Sequence, residues 1–225
     1  MSFEPVLPPY NASDPTATFL SSSCLDLLLI ELVPMAYRVT NELEAASASV
    51  AVPPPTTGQN PSTSSDSVSV STAAAAAAVP GSKRVMDEDE ERDAVFYRLE
   101  TLGYRVGQGL VERFSRDRPR FNDTLDVIKF ICKDLWTLVF RKQVDNLKTN
   151  HRGVYVLTDN LFKPFSRMST APGVNAVPRA EPFLWFPCGV VRGALAALGI
   201  NATVQAETTD LPQAIFQIKT VPTKS

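Results

Sequence analysis

The sequence predicts an α+β fold, a twisted antiparallel sheet of about four strands with helices packed on one face. Two observations predict it. Apolar residues recur first at three- and four-residue spacing, the period of a helix with one buried face, and only later at the two-residue spacing of a half-buried strand. The resulting order is helices, hairpin, helix, hairpin, which suits helices layered on an antiparallel sheet and lacks the strand–helix alternation of a nucleotide-binding sheet.

Residues 1–18 carry Pro5, Pro8, Pro9 and Pro15 and are expected to form a disordered tail. Residues 19–44 hold the first helix. Ser21, Ser22 and Ser23 supply N-cap oxygens, and Leu25, Leu28, Leu29, Leu32, Ala36 and Val39 follow at helical spacing. Pro34 lies inside that pattern; it lacks an N–H and strains the preceding turn, which predicts a kink or an early end. Residues 45–88 differ in kind. Pro53, Pro54 and Pro55, Ser/Thr-rich stretches and the alanines 73–78 leave little to bury. Ordering costs roughly 1–2 kcal/mol per residue, so a disordered insertion is expected there. An acidic run, Asp87 to Glu91, closes it and suits the positive end of the next helix dipole.

The main part of the domain is placed at 89–221, with a tail at 222–225. Val95, Leu99, Leu102, Val106, Leu110 and Phe114 advance by three or four and predict an amphipathic helix to about Ser115. Gly103, Gly107 and Gly109 each cost up to about 1 kcal/mol against alanine there, an expense that a close backbone approach by another element would explain. Asn122 or Asp123 caps a second helix. Its apolar residues, among them Ile128, Ile131, Cys132, Leu135 and Trp136, fill more than one face, so it should be central, with Arg141 and Lys142 in its last turn. Residues 146–157 read as a hairpin turning around Asn150 and Gly153. Residues 163–182, with four prolines, read as a long surface loop, and Phe183 to Phe186 as an apolar segment that docks on the core. A short helix from Gly189 stops at Gly199, and alternating Ala202, Val204, Ala206 and then Phe216, Ile218 predict two closing strands.

Little in the composition points to chemistry. The chain has 225 residues, 44% of them hydrophobic and 20% charged, with a net charge of -2 that exerts no long-range pull on nucleic acid. Cys24, Cys132 and Cys188 are far apart and suggest neither a disulfide framework nor a metal site. Three sequons follow no secretory signal and are expected to go unused in a cytosolic protein. The longest apolar stretch, Leu25 to Tyr37, is well short of the ~20 residues of a membrane span. His151 lies in a turn, and Cys132, on an apolar face, is expected to be an inert thiol; no base is placed beside it. Neither phosphate-binding glycine motif is matched, and Asp123, Asp126 and Asp134 do not suggest a metal site. No catalytic residue, cofactor or metal is assigned. Arg113, Arg116, Arg118 and Arg120 crowd one helix end, either as favourable charge at a C-terminus or as a contact for an acidic partner or anionic membrane.

Four ordered segments carry a resemblance. Leu102 to Gly107, Leu125 to Trp136, Asp145 to Leu157 and the Cys-Gly-x-x-Arg-Gly-Ala-Leu stretch Cys188 to Leu195 resemble the small subunits of the transport protein particle (TRAPP), nearest the sixth-subunit branch. The likeness covers about 92–220, more weakly 19–40. It implies helices over a four-stranded antiparallel sheet, and a heterodimer with the family's central acylated subunit through the helical face. It also implies membership of a tethering assembly that exchanges nucleotide on Rab/Ypt GTPases in endoplasmic reticulum to Golgi and Golgi transport, peripheral to those membranes. The acylated relative's Cys-x-x-Phe slot reads Arg118-Pro119-Arg120-Phe121 here, so lipidation there is not expected. Leu25, Leu28, Leu29 and Leu32 are the interface candidates, although the same stripe suits packing on its own domain. The rival reading is a module enclosing an apolar small molecule or acyl chain.

Overall fold

The strands β1 (Asn146–Thr149), β2 (Val154–Asp159), β3 (Ala202–Glu207) and β4 (Ala214–Thr220) form one antiparallel sheet in the order β1-β2-β4-β3. The structure, a computed structural model, describes residues 21–50, 87–116, 118–150, 152–169 and 176–221. The tails, His151 and residues 51–86 of the expected insertion lie outside the described residues. Register places Leu157 opposite Phe216 and Tyr155 opposite Ile218, and Val204 and Ala206 continue the same apolar face on β3. The alternation read from the sequence is therefore the alternation that buries one face.

That face meets a central helical unit made of α3 (Thr124–Phe130), a π-helical turn (Ile131–Leu135) and α4 (Trp136–Phe140). Trp136, Phe140, Phe162 and Phe216 form an aromatic knot at the centre, with ring centroids 4.7 to 6.2 Å apart. The indole N–H donates to Asp159 at 2.8 Å. That carboxylate is fully buried and also accepts from Lys142 at 2.7 Å and from the Leu161 N–H at 3.0 Å. Arg141 and Lys142 therefore do not sit in the helix's last turn. Arg141 caps α4 in the left-handed region (φ 64°), and Lys142 turns back to Asp145 and Asp159. Asp123 occupies the N-cap position of α3 without a side-chain capping bond. The π turn widens the helix by one residue, and the Cys132 carbonyl accepts from the Val144 N–H at 3.0 Å, fastening the segment that leads into β1.

α6 (Trp185–Ala197) runs between this core and the outer helices. It ends in a Schellman arrangement: Gly199 takes φ 80°, Ile200 N–H donates to Leu195 O, and Gly199 N–H donates to Ala196 O. Within the expected long loop before it, 163–165 and 177–182 form short helical turns, while 170–175 lie outside the described residues. The turns are Lys163–Phe165, α5 (Val177–Ala180) and Glu181–Leu184, each with proline in its first positions, and Phe162, Phe165, Ala180 and Leu184 are buried. Proline is pre-organised for a helical first turn, where its missing N–H costs nothing.

α2 (Glu88–Phe114) lies on α6. Asp87 caps it, and Glu88, Asp89, Glu90 and Glu91 fill its first turn, so the acidic run is the helix start. The buried stripe is Val95, Leu99, Gly103, Gly107 and Val111. The expected stripe is corrected here: Leu102, Val106 and Phe114 are exposed. A Cβ on Gly103 or Gly107 would stand 2.9 Å from the Val190 N or the Ala194 N of α6. Reciprocally, a Cβ on Gly189 or Gly193 would stand 2.9 Å from the Tyr104 N or 2.7 Å from the Tyr104 carbonyl carbon. Two glycines one turn apart on each helix thus bring backbone against backbone. Gly109 meets nothing within 4 Å, so the close-approach explanation fails for it. Glu100 and Arg192 form a bidentate ion pair beside this contact, and Arg192 lies 4.5 Å over the Tyr104 ring.

The outermost layer is α1 (Ser22–Val50), which continues through Pro34 and six residues past the expected boundary at 44. Pro34 is exposed, and Leu32, Val33 and Ala36 on either side of it are buried against Val95 and Leu99 of α2 and Trp185 of α6. Packing on both sides of the missing N–H holds the helix together where propensity alone would end it.

Candidate partner interface

α1 carries two adjacent apolar stripes, and among the described residues one is buried and the other exposed. Leu29, Val33, Ala36 and Thr40 recur every three or four residues and are buried. Leu28, Met35, Val39 and Leu43 form the neighbouring stripe and are exposed, Leu28 by 57% and Leu43 by 51%. Leu32 lies between the two and is 6% exposed. The four leucines proposed from the sequence therefore divide. Leu29 and Leu32 turn into the domain, Leu25 is half-buried, and Leu28 faces out. Met35, Val39 and Leu43, which are not among those four, share its exposed side. Positions 28, 32, 35, 39 and 43 are spaced by four, three, four and four, which places them along one side of a helix.

α2 mirrors this arrangement. Its glycine side is consumed by α6, so Leu102 and Val106, each 38% exposed, look outward with Tyr97. Between the two helices lies an open groove of about 530 Å³. Its walls are Leu32, Met35, Ala36 and Val39 from α1, and Tyr97, Leu99, Thr101 and Leu102 with Ala94 from α2; Arg98 and Arg105 are its charged lining. Arg98 donates through Nε to Thr40 Oγ1 at 2.9 Å, and Thr40 donates to the Ala36 carbonyl at 2.8 Å, which ties the two walls together. At the N-terminal end, Asp26 lies 3.8 Å from Lys163 and 3.7 Å from Arg167, steadying α1 against the loop after β2.

The arginine cluster also divides. Arg118 pairs with Asp134 at 2.5 Å and lies 5.1 Å over the Phe130 ring, an internal brace between the α2–α3 loop and the central helix. Arg113, Arg116 and Arg120 are exposed. Beside the brace is an apolar space of about 90 Å³ lined by Leu110, Phe114 and Leu138, below the roughly 300–1,000 Å³ of small-molecule sites. Burial pushes the thiols of Cys132 and Cys188 up to about 12, so both stay protonated and unreactive at neutral pH. Asp126 pairs with Lys129 at 3.5 Å on the surface, and Asp134 is taken by Arg118 in the half-buried brace, so both carboxylates are engaged in ion pairs.

The family model for transport protein particle (TRAPP) components matches residues 25–221, the span from α1 to the end of the sheet. The chain is 51% identical over 130 residues to trafficking protein particle complex subunit 6b of Danio rerio, covering 58% of this chain and 82% of that protein. It is 52% identical over 121 residues to subunit 6B of Homo sapiens, covering 54% and 75%. To the human subunit 6A it is 50% identical over 120 residues, covering 53% and 74%.

Proposed function

The chain belongs to the TRAPP component family, in its sixth-subunit branch, and from that premise we propose that it is a non-catalytic structural subunit of the TRAPP assembly. In this reading it pairs with the central acylated small subunit through the α1–α2 groove. The assembly it joins tethers vesicles and exchanges nucleotide on a Rab/Ypt GTPase in endoplasmic reticulum to Golgi and Golgi transport. The chain itself is cytoplasmic and peripheral at those membranes; no helix among the described residues is long and apolar enough to cross one.

One observation carries the reading. Two neighbouring helices each bury one apolar side and leave a second apolar side exposed: Met35 and Val39 with Tyr97 and Leu102 face a common groove, and Leu28 extends the α1 side of that face beyond it. An apolar surface of that kind, contiguous across two elements, marks a protein–protein contact. Tagged full-length chain, co-expressed with the acylated small subunit, tests it. Leu28→Asp should fold like the parent and lose the partner on a sizing column, whereas Leu32→Asp should lose the fold first. Undiminished pairing by folded Leu28→Asp refutes this face as the interface.

A further inference from the structure

The groove's chemistry says more about what it accepts, on the premise that the pairing proposed above occurs there. Both of its walls are helices, whose backbone N–H and C=O groups are paired internally. An extended peptide laid between them would bury its own backbone groups without partners, while a helix arrives with them satisfied. The α2 wall runs from Ala94 to Arg105, about 16 Å at 1.5 Å per residue, room for three helical turns of an occupant. The apolar floor asks for an apolar stripe on that occupant.

The rim is not neutral. Its two charged residues are Arg98 and Arg105, seven positions and two turns apart on one side of α2, and no carboxylate lines the groove. Arg98 is half-buried and already bonded to Thr40. Arg105 is exposed, and no ion pair or hydrogen bond engages it among the described residues. A guanidinium with five donors beside an apolar floor favours a carboxylate over any other side chain. We infer that the segment seated between α1 and α2 is an amphipathic helix that presents a carboxylate to Arg105, which makes Arg105 a residue that selects the partner. The apolar stripe supplies adhesion; the arginine supplies orientation, association rate and discrimination against a basic or neutral helix of the same shape.

The test uses the full chain and the purified acylated small subunit as probe, with affinity and association rate measured at low and high salt. Three variants are compared, Met35→Glu, Arg105→Ala and Arg105→Glu, with circular dichroism to check the fold. Arg105→Glu is expected to weaken binding about tenfold, since it replaces attraction by repulsion, and Arg105→Ala to flatten the salt dependence of the association rate. If Met35→Glu abolishes binding while Arg105→Glu and Arg105→Ala leave affinity and salt response unchanged, the carboxylate assignment is overturned and the groove stands as an apolar interface. If no variant alters binding, both the assignment and the groove are refuted.

Discussion

Alanine at Gly107 and alanine at Gly109 should change stability in opposite directions, although the two positions share one helix. Intrinsic propensity favours alanine over glycine by about 1 kcal/mol inside a helix, and both sites gain that amount. Gly109 has open space where the methyl would go, so Gly109→Ala should stabilise by about 0.5–1 kcal/mol. At Gly107 the same methyl would stand 2.9 Å from both the Ala194 N and the Val190 carbonyl carbon, with the Val190 oxygen nearer still. All three are backbone atoms of α6, and no side-chain rotation relieves the clash. The helices must part by at least half an ångström to reach ordinary contact, which loosens the α2–α6 seam along its length. Overpacking of this kind costs about 1–3 kcal/mol, and its worst cases more; against rigid backbone we place it at the upper end, about 3 kcal/mol. The net effect of Gly107→Ala is then a loss of about 2 kcal/mol. Urea unfolding followed by circular dichroism measures both, with an unchanged slope required for a like-for-like comparison. Two changes of the same sign, or a neutral Gly107→Ala, would refute the idea that these glycines exist for close approach.

Two further outcomes follow from the polar interior. Asp159→Ala leaves the buried Trp136 N–H without its acceptor and takes one of two carboxylates from Lys142, which keeps Asp145, and should cost about 1–3 kcal/mol, read as a drop in the urea midpoint and a shift in tryptophan emission. The Lys142 ammonium and the Asn160 N–H hold the Asp145 carboxyl below its ordinary 3.8. Because that folded value is depressed, its contribution is full above about pH 4 and lost as pH falls through the folded value. Asp145→Asn should therefore flatten the acid limb of stability below pH 4, and an unchanged limb would show that the Lys142 contact is not retained in solution.

Much of this fold could be read from the sequence, because helical and strand periods are written in where apolar residues fall. The hairpin around Asn150, the capping of α6 at Gly199 and the alternation of β3 and β4 all appear where the pattern puts them. Where pattern and structure part, the cause is shared: apolarity does not measure burial. On α2 it assigned Leu102 and Val106 to the core, whereas contact with α6 is made by Gly103 and Gly107, which have no side chain to score. That error also hid half of the groove. Pro164, Pro178 and Pro182 have the composition of a loop but sit in the first positions of short helical turns. The π turn at Ile131–Leu135 has no composition of its own, and the Val144 N–H that its Cys132 carbonyl accepts comes from a segment brought there by tertiary structure.

α1 packs on the rest through a small apolar cluster, flanked by the Arg98–Thr40 bond and the ion pairs of Asp26, and separate from the aromatic centre that unites the sheet, the central helix and α6. A layer fastened that lightly opens on its own before the body unfolds, so its amides should exchange with deuterium sooner than those of α6. A partner bound on its outer side would also hold α1 seated, and the affinity measured for the pair would include that work. Solvent exchange along α1 would consequently report occupancy from within a single chain, without a label on either molecule.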